Sequence, residues 1–108
     1  MVSFGDIVLA AGGVYTSKPR PVLVFQNSAV PTGESTIVIP FTSNASHDAF
    51  YRVAITPSKA NGLDRPSWLE VDKVSAIRTA WLGRTIGHLD ADTLHQASDA
   101  AIRLMSPE

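Results

Sequence analysis

Apolar residues along this chain fall in short blocks separated by turn-forming residues, and only the last stretch changes period. Alternating or uniformly apolar runs predict strands near 5–11, 21–27, 35–42, 50–56, 67–72, 74–80 and 84–88. The clearest alternation sets Ser67, Leu69 and Val71 on one face against Trp68, Glu70 and Asp72 on the other, the signature of a half-buried antiparallel strand. Gly12-Gly13, Asn27-Ser28, Pro31-Thr32-Gly33, Ser43-Asn44 and Asn61-Gly62 accept turn conformations cheaply and mark the loops. The loops at 12–19 and 57–66 are long enough to move. After Asp90 the apolar spacing becomes three and four, through Leu94, Ala97, Ala101, Leu104 and Met105, which predicts an amphipathic helix over 91–105. Asp90 and Asp92 suit its start, where free N–H groups and the positive end of the dipole favour carboxylates, and Arg103 suits its other end. Many strands followed by one helix predict an α+β, mainly β protein: a small, strongly bent antiparallel sheet or SH3-like partial barrel with a C-terminal helix packed on it.

Composition narrows this picture in a few places. A chain of 108 residues has one modest core, so residues 1–108 are expected to form one domain. With 44% hydrophobic and 18% charged residues, disorder is not expected. The chain has no cysteine, hence no disulfide, thiol nucleophile or thiolate metal site. The start, Met1-Val2-Ser3-Phe4-Gly5-Asp6, lacks the features of a signal peptide, and the apolar runs 7–11 and 22–25 are far short of a membrane span. A soluble cytoplasmic protein is expected. The formal net charge of −1 gives no overall basic excess. Yet Lys18, Arg20, Arg52, Lys59, Arg65, Lys73, Arg78 and Arg84 all precede residue 90, while Asp90, Asp92, Asp99 and Glu108 make the end acidic. A local basic cleft is compatible with that layout.

One arginine stands out within it. In Pro19-Arg20-Pro21-Val22-Leu23-Val24, proline fixes its own φ and holds the preceding residue extended, so Arg20 sits on a stiff backbone at a strand entrance. A rigidly held guanidinium suits phosphate or carboxylate binding, although a surface ion pair is the plainer reading. The run Ser35 to Phe41 ends in Thr42-Ser43, two hydroxyls at the mouth of the next loop; such a threonine often just bonds to nearby backbone. His47 lies five residues on, within reach of the same cleft. His47, His88 and His95 match no metal spacing, and a helix cap explains Asp90-x-Asp92-x-x-His95 better than a ligand set. Trp68 and Tyr51 could stack unpaired bases, whereas Trp81 and Phe50 read as core.

Gly5-Asp6-Ile7-Val8, then Arg20-Pro21-Val22-Leu23-Val24, then Pro40-Phe41-Thr42-Ser43 resembles, in order and spacing, the MazF/PemK family of toxin endoribonucleases. The resemblance continues through Gly62-Leu63, Ser67–Asp72 and Leu82–Leu89, about positions 4 to 105 in all. It implies a fold of the MazF/PemK/CcdB kind, a homodimer, single-stranded RNA as substrate, a cognate antitoxin as partner, and no cofactor or metal. It implies Arg20 as the main catalytic cation and Thr42 as its partner. Lys18, Ser43, His47, Lys59, Arg65, Asp72 and Arg78 are the candidate substrate contacts. Asp72 matches an Asp that could serve as a base or touch a nucleobase, or could end a strand in a salt bridge. Lys73 and Ser75 depart from the usual Gln and Arg, with Arg78 as a replacement charge, and the loop 12–18 is shorter than the family's. The same fold also serves toxins that grip a protein target such as DNA gyrase, and an inert antitoxin-binding relative is a third alternative.

Overall fold

Residues 1–13 and 18–108, which the computed structural model describes, form seven strands and one long helix in chain order. These are β1 (Asp6–Ala10), β2 (Arg20–Val24), β3 (Ser35–Thr42), β4 (Arg52–Ile55), β5 (Ser67–Glu70), β6 (Ser75–Arg78), β7 (Leu82–His88) and α1 (Ala91–Met105). Every pairing is antiparallel, in the order β4-β5-β3-β2-β1-β7, with β6 on β3 as well. The long β3 makes the bend: its first half pairs with β6 through Ser35↔Arg78 to Val38↔Ser75, and its end turns to β5 through Phe41↔Leu69 and Thr42↔Trp68. Register shifts between β1 and β7 add curvature, as bulges do. The sheet stays open, so the partial barrel is expected and found.

The uninterrupted apolar runs have a structural cause. Along β1, β2 and β3, Ile7, Leu23 and Ile39 meet on one face, while Val8, Val22 and Val38 are fully buried on the other. The first face carries the main core, with Phe41, Val53, Leu69, Val71 and Leu89, closed by Ala97, Ala100 and Ala101 of α1. The second carries a smaller cluster of Ala10, Val22, Val38 and Ile77, capped by Trp81 and Leu82. Each such side chain contributes about 1.5–3 kcal/mol on burial, far more than an exposed ion pair, so these clusters hold the sheet.

Helix α1 starts where the capping pattern places it. Asp90 accepts from the Thr93 N–H at 3.0 Å and from the Thr93 hydroxyl at 2.8 Å. Its C-terminal turn departs from expectation: Leu104 and Met105 are exposed, because the helix packs mainly on β4 and the turn 71–73, and the buried stripe is made of alanines. Phe50 is likewise exposed, not core; Arg103 covers it with its guanidinium 3.8 Å from the ring centre. Trp81 does pack inward, over Gly12 and Gly13. The expected strand 67–72 stops at Glu70, and Val71–Lys73 form a 3₁₀ turn.

Candidate nucleic-acid interface

Arg20 opens β2 between its two prolines and stands across from Ala10 of β1. On the other side of β2 the register runs Val24↔Val38, Leu23↔Ile39, Val22↔Pro40. Continued by two residues, that register sets Arg20 across from Thr42 on the same face, the spacing at which cross-strand side chains interact. Arg20 is exposed and has no carboxylate partner among the described residues. Thr42 ends β3, and its Oγ1 accepts from the Asn44 N–H at 3.3 Å, the local bond that this residue type favours. Its hydroxyl proton remains available for donation.

Beside this pair lies a cavity of about 320 Å³ where the ends of β1, β2 and β3 meet β7 and the segment 62–67. Leu9, Pro21, Phe41, Leu63 and Ile86 give it apolar walls. Lys18, Arg20, Arg65 and Arg84 bring four cations to it, Ser43 and Ser67 two hydroxyls, and Asp64 one carboxylate. Asp64 pairs with Arg65 at 3.5 Å, both side chains well exposed. Strand alternation turns Ser43 and Phe41 toward the cavity and Thr42 to the opposite face of β3. Arg20, at the strand entrance, borders both.

The cavity thus gathers Lys18, Arg20, Ser43 and Arg65 of the residues singled out from the sequence, and leaves the others elsewhere. Asp72 is clamped by Arg52, whose Nε and Nη2 donate to its two carboxylate oxygens at 2.7 and 2.9 Å. Asp72 thus makes a salt bridge, from the 3₁₀ turn rather than from a strand end. The same guanidinium bonds Ser46 Oγ at 2.9 Å and approaches Glu70 at 3.4 Å, with Lys73 adding a second cation at 3.3 Å. This compensation is why Glu70 is buried, against its expected outward place. His47 is bonded to the Tyr51 hydroxyl at 3.0 Å and stacks edge-on against that ring. Arg78 pairs with Ser35, seven residues along β3 from Thr42 and so about 23 Å away along the strand.

Lys59 is exposed and does not line the cavity. Its loop is held by several hydrogen bonds. The buried Asn61 accepts from the N–H groups of Ser58 and Leu63 at 3.0 Å and donates to the Thr56 carbonyl at 2.9 Å. His88 N–H bonds the Ala60 carbonyl, which fastens the loop to β7. Gly62, at φ +70°, lies so near β7 that a Cβ there would strike the Ile86 carbonyl. Residues 14–17 of the loop 12–19 lie outside the described residues. Two residues of consequence stood out from the sequence only as members of its basic set: Arg84, an ordinary basic residue in a short strand pattern, and Arg52, whose partner Asp72 is 20 positions away.

Comparison with known proteins agrees with this architecture. A family model described as a PemK-like, MazF-like toxin of type II toxin–antitoxin systems matches residues 3–105. A probable endoribonuclease MazF of Mycolicibacterium smegmatis is 38% identical over 99 residues, covering 91% of this chain and 90% of the relative. Among solved structures, the Mycobacterium tuberculosis toxin MazF-mt6 superposes with a TM-score of 0.77 at 27% identity, over 95% of this chain and 98% of that one. An endoribonuclease in complex with its cognate antitoxin, from a mycobacterial species, matches in fold at a TM-score of 0.80 and 18% identity, over 100% and 99% of the two chains. Carrying the arginine between prolines, the hydroxyl that ends β3 and the open bent sheet backed by a helix, this chain belongs to the PemK-like, MazF-like family of toxins of type II toxin–antitoxin systems.

Proposed function

We propose that this toxin is an endoribonuclease that cuts single-stranded RNA at a short sequence, acts in the cytoplasm as a homodimer, and is held in check by a cognate antitoxin on the same surface. The observation that carries the reading is the cationic cavity lined by Arg20, which has no carboxylate partner among the described residues, beside a β2–β3 register whose continuation by two residues sets Arg20 across from Thr42. The activity named for the 38% identical relative supports it. In this reading the nucleophile is the substrate's own 2′-hydroxyl. Its oxygen attacks the adjacent phosphorus as its proton is removed, and the bond to the 5′ oxygen breaks. That oxygen takes up a proton, so the products are a 2′,3′-cyclic phosphate and a 5′-hydroxyl. Arg20 stabilises the charge that grows on the phosphoryl oxygens, the kind of electrostatic contribution that is commonly the largest in catalysis. Thr42 donates to a non-bridging oxygen and holds the phosphate in line.

The test uses purified protein and an RNA library in excess EDTA. Discrete cleavage that leaves cyclic phosphate ends is expected, and a single 2′-deoxy substitution 5′ to the scissile bond should abolish it. Cleavage of the deoxy substrate would overturn the mechanism. A folded protein that cuts no RNA would favour a toxin that grips a protein target.

A further inference from the structure

The cavity beside Arg20 has a shape and chemistry that catalysis at one phosphate does not use. Its volume of about 320 Å³ lies at the lower end of the range for small-ligand sites, about 300–1,000 Å³, so it admits one flat ring system and not a duplex. Its walls are preformed. The Asn61 hydrogen bonds and the close approach of Gly62 to Ile86 lock the segment carrying Leu63 and Arg65 against β7, which carries Arg84. Apolar walls with cations at the rim match a nucleotide, which joins a ring with an apolar face to an anionic phosphate.

We infer that this cavity is a subsite for the nucleotide next to the scissile phosphate, its base lodged against Leu9, Phe41 and Ile86 and its phosphate held by Arg84 and Arg65. The inference rests on the endoribonuclease reading and adds Arg84 as a substrate-binding residue. Arg84 is exposed and has no carboxylate partner among the described residues. Arg65 has only its exposed chain neighbour Asp64, a pairing weak enough for a phosphate to displace. Arg20 lines the same cavity, and this places the subsite beside the reacting phosphate rather than at a remote point of the sheet. A small preformed pocket selects among bases by fit, so it is a source of cleavage specificity.

The experiment measures binding of an RNA made uncleavable by a 2′-deoxy substitution at the scissile position, across a salt series. Arg84→Ala should weaken binding about tenfold and reduce the slope of log K against log salt by about 0.7, the value for one single-strand phosphate contact. Arg84→Lys should restore most of the slope, because it keeps the charge. Single abasic replacements along the RNA locate the base: at one position beside the scissile bond, the losses from the abasic site and from Arg84→Ala should be less than additive. Unchanged affinity and slope in Arg84→Ala, or additive losses at every position, would overturn the subsite while leaving wild-type cleavage intact. Wild-type protein that neither binds nor cuts RNA would overturn the endoribonuclease reading, and the subsite with it.

Discussion

Arg20 is worth comparing with the other arginines of the chain, because its backbone rather than its charge is unusual. Arg52 is occupied by Asp72, Arg103 covers Phe50, and Arg78 lies at the far end of β3. Arg20 has prolines on both sides and a free guanidinium. A donor preorganised in this way loses nothing to reorientation when charge develops on the phosphate. Arg20→Ala is therefore expected to slow cleavage about a hundredfold or more with folding unchanged, as removal of one such donor does elsewhere. Arg20→Lys should recover only part of the rate, since a point charge cannot reproduce the planar fork. Thr42→Val should slow cleavage as well, while the β3–β5 pairing beneath it persists. Rates on one RNA substrate, measured beside thermal melts, check all three; near-normal cleavage by folded Arg20→Ala protein would remove Arg20 from the reaction.

Between elements, the decisive contact is the Arg52–Asp72 clamp, which ties β4 to the turn 71–73 and reaches Ser46 in the loop that follows Thr42. Asp72 has its pKa held below the ordinary 3.8, first by the hydrogen bond from Arg52 and then by that residue's charge, against the cost of desolvation. Asp90 is shifted in the same direction by the Thr93 N–H and hydroxyl that it caps. In both cases the folded state binds the proton more weakly than the unfolded chain does. Their contribution is therefore fully present above the unfolded carboxylate range and is lost as the pH falls through the lowered folded values. Asp72→Asn is expected to cost about 1.5–3 kcal/mol near neutral pH, the range for hydrogen bonds to charged groups. The gap from wild type should close as the solution is acidified below about pH 4. Urea unfolding curves across that range check it; a gap independent of pH would mean that the carboxylate charge is not what stabilises the clamp.

Taken whole, the molecule separates its charges. The acidic residues of α1 contribute nothing to the cavity lining, and the cations that do line it face one side of a chain whose net charge is only −1. Local potential, rather than total charge, steers a polyanion to such a site. An extended acidic segment of an antitoxin would be attracted to it for the same reason as RNA. RNA and antitoxin are therefore expected to exclude each other, and both should bind more weakly as salt rises. Titrating uncleavable RNA into toxin with and without the antitoxin segment measures this directly. Simultaneous binding at unchanged affinity would separate the two sites.

How much of this was legible beforehand follows from the range of the interactions involved. Strand positions, the helix over 91–105 and its Asp90 cap depend on residues within four positions of one another, and periodicity with turn chemistry was enough to read them. The family, and the arginine and threonine at its motif positions, were legible from ordered short motifs for the same reason. What the tertiary structure alone decided joins residues far apart in the chain. Asp72 met Arg52 across 20 positions of sequence, and Glu70 was drawn inward by two cations. Phe50 stayed at the surface under an arginine from α1. The loop 57–66 is long enough to move, yet Gly62, Gly87 and the buried Asn61 let it pack closely onto β7, since a Cβ on either glycine would strike the facing backbone. Arg84 lines the same cavity as Arg65, which lies 19 positions before it and only packing brings near. Local pattern sets which backbone conformations are cheap; which charges meet is settled by packing, where burial forces each polar group to find a partner.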